Sequence, residues 1–228
     1  MDTEQFLYIA GKLLGASTAT LGLTACVVPL AFGFGALASW ARCSRHRIPR
    51  RLADLYVLIF RSTPMLVQLF VLYYGLSQFE VVRSSFVWPL LRDPYICAVF
   101  AMAIGSGAYV AEVIRGALGA VPKGAAEAGT SLGLTRVKTF FLITLPIAAR
   151  SAIPASSSEV VITIKATSLA STVTVMELTG TARDLMSETY DVIEVFVMVS
   201  AIYLILNAVI MLLFRTVEAR FSIPGLAA

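Results

Sequence analysis

The chain is short of charge. Only 14% of its 228 residues are Asp, Glu, Lys or Arg, against roughly 25% in ordinary soluble domains. With 58% hydrophobic residues and a mean hydropathy of +0.82, it has too little polar surface to cover a soluble fold. Histidine occurs once, at His46, inside an arginine cluster. That excludes a histidine pair on a metal and leaves no Ser/His or Cys/His constellation for nucleophilic catalysis, so neither enzyme nor cofactor is expected. The three cysteines, Cys26, Cys43 and Cys97, are scattered and give neither a disulfide framework nor a metal-ligand spacing. No G-x-x-x-x-G-K-[ST] loop is present, so the chain does not cradle ATP phosphates itself. The first twelve residues hold Asp2, Glu4 and a single Lys, so no basic leader is expected and the first apolar span is expected to be retained.

What the chain has instead is apolar length. About 20 apolar residues cross a hydrocarbon core of roughly 30 Å. Five stretches reach that length, at about 13–41, 52–79, 94–115, 137–171 and 192–214. The expectation is an all-α integral membrane protein of five transmembrane helices in the lipid bilayer, with residues 1–228 forming one transmembrane domain. In the first span Pro29 predicts a kink, and Gly11, Gly15, Gly22, Gly33 and Gly35 predict close approach of neighbouring helices. The second is interrupted by Arg61, Ser62, Thr63 and Pro64. Pro64 removes a backbone donor and disfavours helix at Thr63, so a break is predicted there. A charge and two hydroxyls at a break make Arg61, Ser62 and Thr63 candidates for a polar lining; the alternative is an Arg61 that snorkels to the interface. Glu112 and Arg115, three residues apart, are neighbours on one helix face and predict an ion pair. The balanced segments 80–93 and 177–191 read as loops.

Charge distribution sets the sidedness. The connecting segments on one side hold Arg42, Arg45, Arg47, Arg50, Arg51, Arg115, Lys123, Arg136, Lys138, Arg215 and Arg220; those on the other hold only Lys12, Arg83, Arg92 and Arg183. The excess places the first side in the cytoplasm, with the N-terminus outside and the C-terminus inside. The net charge of +4 is therefore read as topology, the run RCSRHRIPRR as a loop anchor, and no nucleic-acid partner is expected.

Between the third and fourth spans lies a polar segment, 116–136. Pro122 suits the first turn of a short helix, Gly133 is placed to end it in the left-handed conformation, and Thr135 can cap the next helix. Ser131, Leu132 and Leu134 border the turn and Glu127 offers a carboxylate one to two turns earlier. Such a surface fits a protein groove better than a small ligand.

Here the residues carry a resemblance. Glu127, Ala128, Gly133, Ile143, Leu145 and Pro146 fit the pattern E-A-A, three residues, G, nine residues, I-x-L-P, with Gly129 in place of the second alanine. The pattern resembles the signature of permease subunits of binding-protein-dependent ABC importers. FRSTPMLVQLF (60–70), AYVAEVIRGALGAVPKGAAEAG (108–129) and SEVVITIKATSLAS (158–171) are similar to stretches of the polar amino-acid branch that serves histidine, lysine, arginine and the opines. The resemblance covers residues 55–215. It implies a bacterial inner-membrane permease of the type I importer fold, two ATPase subunits, a second permease subunit (identical or sister) and a periplasmic binding protein. It also implies that Glu127, Ala128, Ser131, Leu132, Gly133 and Leu134 form a coupling helix seated on the ATPase.

The substrate path must then be made of intramembrane polar groups. Glu159 is the strongest candidate, since a charge within a span is costly and usually functional. Ser156, three residues back, and Thr163, four residues on, are predicted to share its face. A carboxylate with hydroxyls suits an ammonium or guanidinium ligand. The rival role for Glu159 is a structural pair with Arg61, Arg150 or Lys165. The rival functions are a channel or passive carrier, or a membrane-embedded enzyme.

Overall fold

The computed structural model describes residues 2–221, and every regular element in them is helical. Helix α1 (Thr3–Arg42) runs 40 residues, begins ten residues before the predicted span, and continues through Pro29 without a break. Helix α2 (Arg47–Ser62) is amphipathic. It meets α3 (Met65–Phe70) at Pro64, and α3 runs on through a wide turn, Val71–Gly75, and a tight one, Leu76–Gln78. Two single turns follow, α4 (Glu80–Arg83) and α5 (Trp88–Leu91), where a loop was predicted. Helix α6 (Pro94–Gly119) starts on Asp93, whose carboxylate accepts the Ile96 amide at 2.9 Å, with proline in the first turn where its missing donor costs nothing.

Next come α7 (Lys123–Ser131) and α8 (Arg136–Thr139), a π turn at Phe140–Thr144, and α9 (Leu145–Ala166). A tight helical run, Thr167–Val173, completes this span. The π turn falls just before Pro146, which cannot donate to the preceding turn. The segment 177–191, predicted as a loop, is mostly a helix, α10 (Leu178–Thr189), and α11 (Val192–Phe221) is the last element.

Four of these runs are long and apolar enough to cross a bilayer: Thr3–Arg42, Pro94–Gly119, Arg136–Val173 and Val192–Phe221. The predicted second span is not one helix. Arg47–Ser62 and Met65–Gln78 meet at 110°, so a fifth crossing exists only as a broken pair.

Packing centres on α1 and α6. Leu23 and Val27 of α1 bury against Ala98, Ala101 and Met102 of α6, with Leu69, Ala170 and Val173 closing the cluster. The approach is close because small residues face each other: a Cβ on Gly35 would lie 2.6 Å from Val110, and one on Gly107 would lie 2.7 Å from Phe34. Gly35 thus does what was expected of it, whereas Gly11, Gly15 and Gly33 face open space. A second cluster joins Ile9 and Leu13 of α1 to Leu178 and Leu185 of α10 and to Val195 and Val199 of α11. Outward, α11 exposes Phe196, Val197, Leu204, Ile205, Val209 and Leu212, a face that water would penalise and lipid accepts.

Candidate functional site

The break at Pro64 is built and braced by its neighbours. Thr63 is extended (φ −113°, ψ 142°), as a residue before proline prefers. Pro64 has no N–H for the Phe60 carbonyl four residues back. The Gln68 side-chain amide takes that role, donating to Phe60 O at 2.8 Å, Thr63 O at 3.0 Å and Thr63 Oγ1 at 2.9 Å. This is the usual condition for a proline break inside a membrane helix: the freed carbonyl is satisfied by a side chain. Gln68 lies buried over Gly105, where an added Cβ would come 2.5 Å from its Oε1. Sequence reasoning passed over Gln68; an amide four residues after a proline is the signal that could have found it. Thr63 therefore braces the bend and lines neither of the cavities described next.

Those cavities open beside the break. One of about 560 Å³ is lined by Arg42, Asp54, Arg61, Ser62, Tyr109 and Glu112, and one of about 370 Å³ by Arg61, Tyr109, Glu112, Ser151, Ala155 and Glu159 among others. They share Arg61, Tyr109 and Glu112, so they form one charged trough between α2, α6 and α9. Glu112 is its hub. It pairs with Arg42 at 2.5 Å, with Arg115 at 2.7 Å as predicted, and with Arg61 at 3.9 Å; Arg42 also reaches Asp54 at 2.9 Å. Arg61 is held loosely, its guanidinium 5.5 Å from the Tyr109 ring centre, a cation–π arrangement. Sequence reasoning placed Arg42 in a loop anchor and did not single out Asp54 or Tyr109.

Glu159 is half-buried on the trough wall and closes no ion pair within 4 Å among the described residues; of the three partners weighed for a structural pair, Arg61 shares its cavity and acts on it by charge. Ser62 joins the trough, but Ser156 and Thr163 do not; both are buried elsewhere. The helix period explains this. At 3.6 residues per turn, positions 155 and 151 drift one way around α9 from Glu159, and 163 and 156 drift the other. Three-and-four spacing in sequence admitted either side.

The polar segment folds as its punctuation dictates. Gly133 has φ +81°, a region that costs a residue with a Cβ. The Gly133 amide bonds Thr130 O at 3.0 Å and the Leu134 amide bonds Gly129 O at 3.1 Å, the paired closure of a glycine-ended helix. Thr135 Oγ1 then accepts the Lys138 amide at 3.4 Å. Glu127, Ala128, Ser131, Leu132 and Gly133 are all exposed, Leu132 at 83%, and Leu134 is partly covered. Gly129 alone in α7 is buried: its missing Cβ leaves room for Ile143, whose Cδ1 would sit 2.6 Å from that atom.

At the opposite end of the same span, Glu177 is wholly buried. Its carboxylate accepts the amides of Thr179 and Gly180 at 3.0 Å each and the Tyr203 hydroxyl at 3.1 Å, and Thr20 accepts the Leu178 amide at 3.1 Å. Burial pushes the Glu177 carboxyl above its ordinary range, while those amides and hydroxyls hold it back. Among the described residues no cluster of His, Cys, Asp and Glu is placed to hold a metal ion.

Comparison with known proteins agrees with this architecture. The chain is 49% identical over 189 residues to the octopine transport system permease protein OccM of Rhizobium radiobacter, covering 83% of this chain and 76% of that one. It is 41% identical to the nopaline transport system permease protein NocM of Agrobacterium fabrum (92% and 88% covered). It is 33% identical to the arginine ABC transporter permease protein ArtM of Haemophilus influenzae (93% of each covered). Among solved structures, a crystal structure of an amino acid ABC transporter with histidines superposes with a TM-score of 0.86 at 28% identity, covering 96% of this chain and 99% of that one. The model of the family described as binding-protein-dependent transport system inner membrane component matches residues 31–223. The helical multi-pass fold is that of the type I importer permeases, and the chain belongs to the family of inner-membrane components of binding-protein-dependent ABC importers.

Proposed function

We propose that this chain carries a basic amino acid or an opine across the inner membrane, driven through α7 by an ATP-binding partner. The observation behind this reading is the α7 turn. It is an exposed helix with an apolar knob, Leu132, closed by its own glycine and anchored through Gly129 and Ile143 to the span that carries Glu159. Such a helix can receive a push and pass it on as a rigid body. Glu127, Ala128, Ser131, Leu132, Gly133 and Leu134 form the seat. The complete importer pairs this permease with a second one, two ATPase subunits and a periplasmic binding protein. The α7 side is then cytoplasmic, in keeping with the arginine excess, with the N-terminus periplasmic, the C-terminus cytoplasmic and residues 1–228 acting as one transmembrane domain.

The relatives named for octopine, nopaline and arginine suggest the substrate class, because each of those ligands bears a guanidinium and at least one carboxylate. The trough offers complementary groups: Glu159, a carboxylate in no close ion pair, for the cation, and the loosely held Arg61, with Ser62 nearby, for the acid. Ser156 and Thr163 lie behind that wall and contribute by packing.

Reconstituted proteoliposomes test both halves. Gly133→Val forces a β-branched residue to φ +81° and disrupts the turn. The variant is expected to insert and to fold around α1 and α6, yet to lose at least tenfold in ATP-driven uptake; normal uptake would show that α7 is not the seat. Glu159→Gln is expected to raise the substrate concentration for half-maximal uptake while leaving ATPase association intact. Unchanged uptake kinetics would remove Glu159 from the path.

A further inference from the structure

The ion pairs of the trough leave one guanidinium over. Glu112 holds Arg42 at 2.5 Å and Arg115 at 2.7 Å, and Arg42 also holds Asp54 at 2.9 Å. Arg61 reaches Glu112 only at 3.9 Å, and 46% of its side chain is exposed. Its other contact is an aromatic face: the guanidinium carbon lies over the Tyr109 ring, 5.5 Å from the centre. A planar cation thus rests on a ring, with the Glu112 carboxylate near it and Glu159 on the α9 wall of the same cavity.

Sequence spacing builds this seat. On α6, Tyr109, Glu112 and Gly116 line the cavity at intervals of three and four; on α9, Ser151, Ala155 and Glu159 do so at intervals of four. Small residues at 116 and 155 leave the space between the two stripes. The cavity of about 370 Å³ then continues past Arg61 into the one of about 560 Å³. An aromatic face beside carboxylates is how a guanidinium is recognised, and the guanidinium found there belongs to the chain itself. On the reading that the trough is the substrate path, we infer that Tyr109 is its specificity residue: the ring seats a ligand guanidinium, and Arg61 occupies that seat until a ligand replaces it. The exchange matches charges. A ligand with a guanidinium and a carboxylate brings a cation to the ring and an anion to receive Arg61. A ligand with only one of these groups leaves a charge without its partner, which is costly away from water.

The test uses the permease–ATPase complex in nanodiscs, without binding protein or ATP, and measures equilibrium binding of radiolabelled arginine and of radiolabelled agmatine, which is arginine without its carboxylate. Each is expected to bind, and arginine to displace agmatine. Tyr109→Leu is expected to weaken agmatine about fivefold, the loss of one cation–π contact, whereas Tyr109→Phe keeps the ring and should change nothing. Arg61→Ala vacates the seat and is expected to tighten agmatine about fivefold, because the competing guanidinium is gone. In Tyr109→Leu/Arg61→Ala that gain is expected to disappear. A gain that persists in the double variant would come from removing a like charge, and it overturns the proposal. So does an agmatine affinity that Tyr109→Leu leaves unchanged, or a complex that binds arginine and not agmatine. A complex that binds neither overturns the trough as a path for guanidinium substrates, and the Tyr109 seat with it.

Discussion

The span from Arg136 to Val173 is joined to its neighbours by two connectors of similar plan, a turn and a short helix at each end, and they are built by opposite means. The one before the span closes on itself. The Gly133 and Leu134 amides bond within α7, and the Thr135 cap reaches only to Lys138. The one after it closes on the rest of the molecule: Glu177 reaches Tyr203 of α11, and Thr20 of α1 takes the Leu178 amide across 158 residues of sequence. The difference follows from burial. The exposed face of α7 has nothing packed on it, so its shape has to come from its own residues. A connector sealed in the protein can borrow its hydrogen bonds from other helices.

Breaking each connector sharpens the contrast, and the one that holds Glu177 should suffer most. Glu177→Ala strips the acceptor from two helix-start amides and from the Tyr203 hydroxyl in a buried site. A lost cap and buried polar groups left unmet sum to about 3 kcal/mol. The exposed Glu127→Ala should move stability by less than about 0.5 kcal/mol. Thermal unfolding of the purified proteins in one detergent measures both, and equal melting points would end the comparison. Gly180→Ala comes next. Its Cβ would lie 2.9 Å from the Val175 carbonyl oxygen, an atom of the backbone that cannot swing aside. A loss of about 2 kcal/mol is expected, typical of overpacking; stability equal to the parent would mean that the Val175 turn yields.

The same contrast explains what was legible in the sequence. Proline, glycine and threonine at 122, 133 and 135 carry local rules, and α7 and its turn lie where those rules put them. Pro64 announced its break for the same reason, though neither the 110° angle nor the Gln68 brace that settles over Gly105. Segment 177–191 read as a loop because its balanced charges look solvated, and only Thr20 and Tyr203, distant in sequence, turn Glu177 into a buried cap. The trough was half legible. Glu159 and Arg61 stand out as charges within apolar runs, whereas their meeting with Tyr109 and Glu112 is a product of helix packing. Ser156 and Thr163 fall outside the two cavities, because the spacing rule does not say which way a helix face drifts.

The smallest expected effect tests the α7 connector where its sequence departs from the family pattern. Gly129 stands where that pattern has alanine, and the missing Cβ would lie 2.6 Å from Ile143 Cδ1 and 3.1 Å from Thr139 Cγ2. Gly129→Ala gains up to about 1 kcal/mol in helix propensity. It also crowds Ile143, but the crowded atom is the far end of a flexible side chain and can rotate, so the two effects nearly cancel. Ile143→Val alone removes that methyl group and should cost about 1 kcal/mol. The two changes together should refill the space, giving a favourable coupling of roughly 1 kcal/mol between residues in contact. Strict additivity in the double-mutant cycle would mean that Ile143 does not fill the space at Gly129. The connector that holds α7 would then rest on Thr139 and on the backbone of the Gly133 turn for its tie to the span.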